Sequence, residues 1–561
     1  MGRDAFVEWE RRFGSDETAV LQRLHDTTVR HGRVDRRDLH AIAEEFRLPV
    51  AAVAGAAGFY ADFGGEHGTR HVRICAGTSC FVSAGDHTAP LAEAALGVAP
   101  GRTSADGSVS LAEVHCLGYC YASPTALDGH TPITGPDLGA RLLDTEHPAA
   151  AAPAIPYRVA GREAVVLAGL VGAERSWQVW PHVVTAVPPG AVRAEVALAG
   201  LRGRGGAEFP VAEKWRSAAR GPAPRFVVAN GDEGDPGSFC DRLLMESDPD
   251  RVLEGLALAA FATGASRGAV FVRSEYPVAV ARMRAAVDAA RAAGHLGRGV
   301  HGSSFDFDVE VVEGAGSYVA GEETALLHAL QGLRGGVRPR PPYPTESGLA
   351  ERPTAVNNVE TLAAVPWVLR HGGGNYARLG NRTETGTKLV CLSQRFRHPG
   401  VYEVEFGVPL RHIVENLGGG LKPGFRLRAL QIGGPLGGFV SPDDLDVPLL
   451  AGALTEAGVA LGHGSLVAID DQIAARELLQ HVWRFAAAES CGACTPCRVG
   501  TRRGQELAAH FPAGSEQILS QHEKLLEVMS VGSLCAFGRG VPAAVRSLLR
   551  VYRDELTSGD S

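Results

Sequence analysis

The sequence predicts a multidomain α/β protein, on three observations. Its 561 residues exceed what one hydrophobic core usually supports, so three to five domains are expected. Strand-like and helix-like segments alternate regularly through the middle of the chain. Eight of the ten cysteines fall into two groups of four, one towards each end, which implies a separate module at each.

Taken in order, residues 1–68 read as helical. In TAVLQRLHDTTVRHG and DLHAIAEEFRLPVAAVAGAAGFY, apolar residues recur at three and four. Residues 69–145 read as a thioredoxin-like domain: HVRIC is a strand, then come a glycine turn and helix, SLAEVHC, and the turn CLGYCYASP. Residues 146–190 open with the Pro/Ala-rich DTEHPAAAAPAIP boundary (144–156) and are expected to be a linker. Residues 191–380 carry the βαβ rhythm of a Rossmann-like, mostly parallel sheet, with RFVVAN, GAVFVR and FDVEVV as strands. Residues 381–471 form a small β domain from TKLVCLS, GVYEVEF and RLRALQI, and 472–561 are helical around two cysteine loops.

Composition excludes some functions. The apolar content of 45% and charged content of 21% are those of an ordinary soluble protein. A net charge of −8, with no basic stripe among aromatics, argues against nucleic-acid binding. No apolar run approaches a membrane span, and MGRDAFVEWERRFGS lacks a signal-peptide core. A cytoplasmic chain without direct membrane insertion is expected, and that compartment disfavours disulfides.

Cys75-x4-Cys80 and Cys116-x3-Cys120 are separated by 35 residues, each pair on the loop after a predicted strand. Two short-spaced pairs supply four thiolates, as two bridged irons require. Structural zinc more often uses a two-residue spacing, so the spacing favours a [2Fe–2S] cluster over zinc or two disulfides. Cys491-x2-Cys494-x2-Cys497 can wrap three corners of a cubane. Cys535, after 37 intervening residues, closes a [4Fe–4S] site. Cys240 and Cys391 stand alone and read as small buried apolar residues.

Gly203, Gly205 and Gly206 lie in GLRGRGGAEFPVAEKW, ahead of a predicted helix. Such glycines let backbone N–H groups approach a ligand, and a helix N-terminus favours its negative charge. The dinucleotide fingerprint fails here, because VRAEVALAGL is not a clean strand. Asn230, Asp232 and Glu233 follow a strand in RFVVANGDEGDPGSFCDR, where α/β proteins place ligand sites. Tyr318, Gly321, Glu322 and Glu323 repeat that arrangement in GSYVAGEETALL, and Asn357, Asn358 and Thr361 stand near a helix start in RPTAVNNVETL. Taken singly, the glycine loop reads first as a tight interdomain turn and the DEGD run as a solvated acidic turn.

Together these segments resemble the NADH-oxidising arm of respiratory complex I. FYADF, CAGTSC and CLGYCYASP match its small [2Fe–2S] thioredoxin-like subunit. GRGGAEFP, NGDEGDPGSFCDR, GSYVAGEETAL, RPPYP, TAVNNVETL, HPGVYEV, GGPLGGF, ESCGACTPCRVGT and LCAFG match its flavoprotein subunit. Segment 157–195 matches poorly. The resemblance implies four cofactors: FMN, NAD(H), one [2Fe–2S] and one [4Fe–4S] cluster. It also makes the β domain ubiquitin-like (β-grasp). FMN would be held by Gly203, Arg204, Gly206, Lys214, Asn230, Asp232, Gly321, Glu322, Asn357, Asn358 and Thr361, with Gly205 and Tyr318 as further cofactor-binding candidates. NAD would stack near Phe209, with Glu233, Glu323 and Tyr343 lining its site. A Glu233 carboxylate near the adenosine ribose would disfavour a 2′-phosphate.

Flavin takes hydride from nicotinamide and passes electrons singly to clusters, so no catalytic histidine is expected. Fusion of the two modules, and the turn NGDEGDPG, resemble the β subunit of NAD-dependent formate dehydrogenases. The implied partner is a catalytic α subunit with molybdopterin or tungstopterin and iron–sulfur clusters, in a hetero-oligomer. The diaphorase subunit of an NAD-reducing hydrogenase, a complex I module, a stand-alone NADH dehydrogenase and a cofactor-free assembly scaffold are the alternatives. Three departures from the family pattern stand out: Glu208 where glycine is usual, Ala320 where cysteine is usual, and Gln394 in place of a glycine.

Overall fold

The computed structural model describes residues 20–144, 153–511 and 515–558. Helices α1 (Val20–His31), α2 (Arg36–Glu45) and α3 (Val50–Ala57) come first. Asp35 caps α2, accepting from Arg37 and Asp38 N–H at 2.7 and 2.9 Å, while Asp38 accepts from Asp35 N–H. The apolar faces of α1–α3 bury Leu21, Leu24, Ile42 and Val53 in one cluster with Phe226, Phe271 and Val312 of the central α/β unit.

The next module contains β1 (Arg70–Cys75), α4 (Thr78–Ala84), α5 (Thr88–Leu96), β2 (Arg102–Thr103), β3 (Val109–Val114), β4 (Thr125–Asp128), β5 (Thr131–Thr134) and α6 (Leu138–Leu143). Its strands lie in the order β2-β3-β1-β4-β5, with β1 and β3 parallel and Cys75 opposite Val114. Parallel neighbours end on the same side, so the loops after β1 and β3 bring their cysteines together.

The segment expected to be a linker is built into the molecule. Its 145–152 portion lies outside the described residues. From Ile155 on, β6 (Tyr157–Val159) pairs with the edge of the β domain, Val165–Ala168 are buried, and α7 (Trp180–Ala186) follows. The reason is side chains elsewhere in the chain. The Glu403 carboxylate accepts Val165, Val166 and Leu167 N–H at 3.0, 2.8 and 3.0 Å. Glu254 accepts Trp177, Val179 and Trp180 N–H at 2.8–3.1 Å, and Arg251 donates to Val165 O at 2.6 Å. The strap's backbone is thus satisfied by buried charges.

The central unit contains α8 (Pro189–Ala199), α9 (Val211–Arg220), β7 (Phe226–Gly231), α10 (Cys240–Ser247), α11 (Pro249–Thr263), β8 (Arg267–Val272), α12 (Pro277–Ala292), β9 (Asp308–Glu313), α13 (Glu323–Leu330), β10 (Thr354–Asn358) and α14 (Val359–His371). Its four strands are all parallel, ordered β10-β7-β8-β9. β10 corrects the reading of TAVNN as merely a helix start. Its register sets Asn357 opposite Ala229 and Asn358 opposite Asn230, so both polar segments end at one sheet tip. Helix α11 is buried on every side, and a Cβ at Gly255 would meet Leu362 O at 2.1 Å, so glycine there permits α11 and α14 to touch.

The β domain holds β11 (Thr387–Leu392), β12 (Gly400–Glu405), β13 (Leu427–Ile432), β14 (Gly438–Val440), α15 (Ala451–Glu456) and β15 (Ser465–Asp470), in the sheet order β14-β13-β15-β11-β12-β6. Helices α16 (Ala475–Glu489), α17 (Thr495–Ala509), α18 (Ser515–Gly532), α19 (Ala536–Val551) and α20 (Arg553–Ser558) complete the chain. No helix among the described residues is long and apolar enough to cross a membrane.

Glu403→Leu removes the acceptor of three strap N–H groups, each stranded donor costing about 1–3 kcal/mol. The variant is expected to melt earlier and to be cleaved first near residues 160–170 in limited proteolysis, with Glu403→Gln in between. Cleavage identical to the unaltered chain would remove this role from Glu403.

Candidate functional site

The first cysteine group converges. Cys75, Cys80, Cys116 and Cys120 are all buried and none is in a disulfide, and Cys116 Sγ lies 3.6 Å from Cys120 Sγ. Backbone N–H groups of Gly77, Gly118 and Gly237 point at Cys75, Cys116 and Cys120 sulfurs at 3.3–3.4 Å. Hydrogen bonds from Cys120 and Cys75 pull Cys116 well below the usual thiol range, and the same contacts push Cys75 and Cys120 well above it. Four thiols sharing protons among themselves, with amides aimed at the sulfurs, fit a [2Fe–2S] cluster in the protons' place.

The second group lies in the helical module. Cys491, Cys497 and Cys535 are buried and Cys494 is half-buried. Cys494 is the residue before α17 and Cys535 the residue before α19, so two helix N-termini face this nest and favour thiolate charge. Burial, then the neighbouring Cys494, Cys535 and Cys491 sulfurs, push Cys497 up to about 12. That crowding fits a [4Fe–4S] cluster.

Between the nests lies a cradle at the tips of β7 and β10. Gly206 has a left-handed φ of +96°, and a Cβ there would meet Gly462 at 3.3 Å. A Cβ on Gly205 would meet Asn358 at 3.1 Å. Gly203 N–H bonds Phe209 O at 3.0 Å, and Arg204 N–H bonds Thr361 Oγ1 at 2.8 Å. Asn230 Nδ2 bonds Gly321 O at 2.9 Å, and a Cβ on Gly321 would meet Asp232 O at 3.0 Å. Asn357 accepts Trp215 Nε1–H at 2.9 Å, and Lys214 Nζ bonds Val356 O at 2.8 Å. Asn358 caps α14 through Thr361 N–H, and Glu322 caps α13 through Thr324 and Ala325 N–H. Arg340 pairs with Glu322 at 3.2 Å and with Glu323 at 2.6 Å. The Asp232 side chain is 3% exposed, its Oδ2 has no hydrogen-bond partner, and desolvation drives its carboxyl well above the usual range. A close-approach glycine loop, an orphaned buried carboxylate oxygen and amides at a sheet tip fit a flavin bearing hydroxyls and phosphate. Phe209 and Tyr343, 51% and 53% exposed, are large aromatics open to solvent near this loop and the 338–346 turn.

Three expected roles change. The Arg204 guanidinium points away from the cradle, to Tyr376 OH at 2.8 Å and Thr385 O at 2.9 Å, over the Phe406 ring. Only its backbone belongs to the glycine loop. Tyr318 OH bonds Asp235 at 2.5 Å and its N–H bonds Glu489, so it braces rather than lines the cradle. The Glu233 carboxylate turns inward, accepting Asp241 and Arg242 N–H at 3.1 and 3.0 Å at the start of α10. At 2% exposure it cannot face a ribose. Satisfying two buried amides outweighs exposure to solvent, which overturns its expected place beside NAD.

Residues that no sequence spacing signalled join the parts. Arg273 donates to Cys116 O at 3.0 Å and Glu233 O at 2.9 Å, and pairs with Asp232 and Glu275 at 3.5 and 2.9 Å. Glu489 accepts from Tyr318 N–H and pairs with His115 Nδ1 at 3.0 Å, linking the loop before Cys116 to the one before Cys491. Gln394 N–H bonds Cys120 O at 2.9 Å, and Ala320 is buried. Cys240 and Cys391 are buried, as expected, although Cys240 has polar neighbours.

Three family models match: thioredoxin-like [2Fe–2S] ferredoxin over residues 7–133, Nuo51 FMN-binding domain over 196–367, and NADH-ubiquinone oxidoreductase-F iron-sulfur binding region over 477–559. The F 2 subunit of NADH-quinone oxidoreductase from Rhizobium meliloti is 40% identical over 361 residues, 64% of this chain and 86% of that protein. NADP-reducing hydrogenase subunit HndC of Solidesulfovibrio fructosivorans is 38% identical over 375 residues, 66% of this chain and 76% of that protein. A crystal structure of an NAD+-reducing [NiFe]-hydrogenase in the H2-reduced state matches at a TM-score of 0.85 and 30% identity, covering 96% of this chain and 93% of that one. The cofactors of the present chain are FMN, NAD(H), one [2Fe–2S] and one [4Fe–4S] cluster. With two sulfur nests flanking a strand-tip cradle, it belongs to the family of NADH-quinone oxidoreductase F subunits, NAD(H)-dependent oxidoreductase flavoproteins, here fused to a thioredoxin-like [2Fe–2S] domain.

Proposed function

We propose that this chain is the NAD(H)-handling diaphorase subunit of a cytoplasmic hetero-oligomer whose α subunit oxidises formate at a molybdenum- or tungsten-pterin centre. The observation that carries the diaphorase reading is the buried path of contacts tying both sulfur nests to one cradle, through Arg273 and Glu489. Cys75, Cys80, Cys116 and Cys120 hold the [2Fe–2S] cluster. Cys491, Cys494, Cys497 and Cys535 hold the [4Fe–4S] cluster. FMN, when bound, accepts hydride from nicotinamide and releases electrons one at a time. The chain's own task is positional. Gly203, Gly205 and Gly206 admit the flavin to the backbone. Lys214 supplies positive charge, and Asn230, Asp232, Gly321, Glu322, Asn357 and Asn358 orient it. Phe209, Glu323 and Tyr343 border the dinucleotide. Hydrogen bonds from Cys120 and Cys75 lower the Cys116 thiol first, and the Arg273 guanidinium adds a smaller offset to thiolate charge there.

The turn NGDEGDPG, by its resemblance to formate dehydrogenase β subunits, supports a formate-oxidising partner, while the fused order of modules suits either partner. A second reading, a hydrogen-oxidising partner, is favoured by the whole-chain likeness to the hydrogenase structure. Anaerobic co-purification decides: molybdenum or tungsten with formate-driven NAD+ reduction is expected, whereas nickel with hydrogen-driven reduction selects the second reading. In Cys535→Ser, partner-driven NAD+ reduction should fall to background while NADH–ferricyanide activity and flavin content persist. Equal persistence of both activities would remove Cys535 from the electron path. A colourless chain lacking flavin and iron would mean a scaffold.

Glu208 sits at φ +51° beside the glycine loop, and burial, then Glu384, raises its carboxyl above the ordinary range. A left-handed L-residue costs about 1–2 kcal/mol. Glu208→Gly is therefore expected to hold or raise the melting temperature of the flavin-loaded chain, and to lower KM for NADH by removing a carboxylate. Glu208→Val should melt lower. A glycine variant that melts clearly below the unaltered chain would contradict the strain assigned here.

A further inference from the structure

We propose that Glu233, Cys240 and His463, with Asp241, bind one zinc ion at a site apart from both cysteine nests. Cys240 Sγ lies 3.3 Å from Glu233 Oε1, and His463 Nε2 lies 4.0 Å from that oxygen and 2.9 Å from Asp241 Oδ2. One ligand atom each from Glu233, Cys240 and His463 all lie within 4.8 Å of one another. Around a tetrahedral zinc with bonds of about 2.0–2.3 Å, neighbouring ligand atoms stand about 3.3–3.7 Å apart. Small side-chain turns would close these three around an ion, and Asp241 would join through its contact with His463. His463 Nδ1 is buried without a partner, so no second hydrogen bond pins the ring against such a turn.

Charge points the same way. All four side chains are at least nine-tenths buried. Lys388 is paired with Glu360, and Arg273, which touches the Glu233 carbonyl, is paired with Asp232 and Glu275. Arg242 is paired with Glu246. Glu233 and Asp241 thus share a dry site with no lysine or arginine paired to either carboxylate among the described residues. Burial drives Glu233 up to about 7 and Asp241 well above the carboxylate range, and holds the imidazole neutral, at about 3. A divalent ion supplies the missing positive charge, and neutral imidazole is the ligating form. Binding releases the Cys240 thiol proton, the proton shared by Asp241 and His463 and any proton held by Glu233, and needs no electron transfer. The mixed S, N and O set favours zinc over calcium or magnesium, which take oxygen ligands.

The site has a structural consequence. Glu233 follows β7, Cys240 and Asp241 open α10, and His463 precedes β15, so the ion would clamp the β domain to the central unit. Asn358 Nδ2 reaches Asp241 at 2.5 Å and His463 at 3.3 Å, which places the clamp directly under the cradle.

The test is metal content of the full chain, grown with zinc, purified anaerobically and dialysed against EDTA. One zinc per chain is expected alongside cluster iron. Cys240→Ser and His463→Gln should each lose it while retaining iron and flavin, and Cys391→Ser should keep it. Cobalt(II) in zinc's place should show thiolate-to-cobalt absorption that Cys240→Ser abolishes. The unaltered chain carries the test even if a variant fails to fold. Absence of zinc from it, or zinc that survives both ligand substitutions, overturns the proposal.

Discussion

One buried guanidinium holds the electron-carrying parts in register. Arg273 is 5% exposed and touches the carbonyl of Cys116, the carbonyl of Glu233 and the carboxylates of Asp232 and Glu275, with the Tyr276 ring beneath it. A charge taken out of water persists only where every partner is in place. Arg273 therefore cannot tolerate the thioredoxin-like module shifting against the tip of β7. The loop after β3 and the loop after β7, 117 residues apart between Cys116 and Glu233, are made to behave as one rigid element.

The same device recurs at each seam. Glu489 joins the turn before Cys491 to Tyr318 and His115. Burial opposes charging both members, but the pair wins: His115 is raised and Glu489 lowered, each by the other. Arg242 stacks 3.7 Å from the Tyr119 ring and bonds Gly118 O at 2.7 Å. Glu403, Glu254 and Arg251 fasten the 155–190 strap. Apolar packing builds each module, while buried polar contacts dictate how modules face one another. Such contacts are directional, so they specify position where a greasy interface would allow sliding.

This division explains what could be read in the sequence. Period-2 and period-3.6 patterns revealed α1, β7, β8 and β11 because those elements bury apolar faces within their own module. Cysteine spacing revealed both nests because ligation demands short local loops. The strap at 155–190 was opaque, since its partners lie on α11 and β12, far along the chain. β10 was opaque because TAVNN is short and ends in asparagines, and only pairing with β7 makes it a strand. Glu233 was misassigned for a related reason. A carboxylate after a strand looks free to meet a ligand until α10 is known to begin where its two N–H groups face that oxygen.

The remaining cradle residues carry two duties, and this shapes how a flavin is received. Asn358 caps α14 with its oxygen and keeps its amide nitrogen beside Asp241 and His463. Glu322 caps α13 with one oxygen and meets Arg340 with the other. Side chains fixed as helix caps have already lost their rotamer freedom during folding. Little ordering is then left for the binding step, and a ligand meets groups already aimed. Asp232 Oδ2 is the exception. It is buried without a hydrogen-bond partner, and desolvation holds the carboxyl above its usual pKa, so the fold leaves one polar oxygen unsatisfied at the point where the glycine-lined cradle opens. Ligand hydroxyls that hydrogen-bond to this oxygen would offset its desolvation, which makes Asp232 the part of the site where binding and folding energies meet.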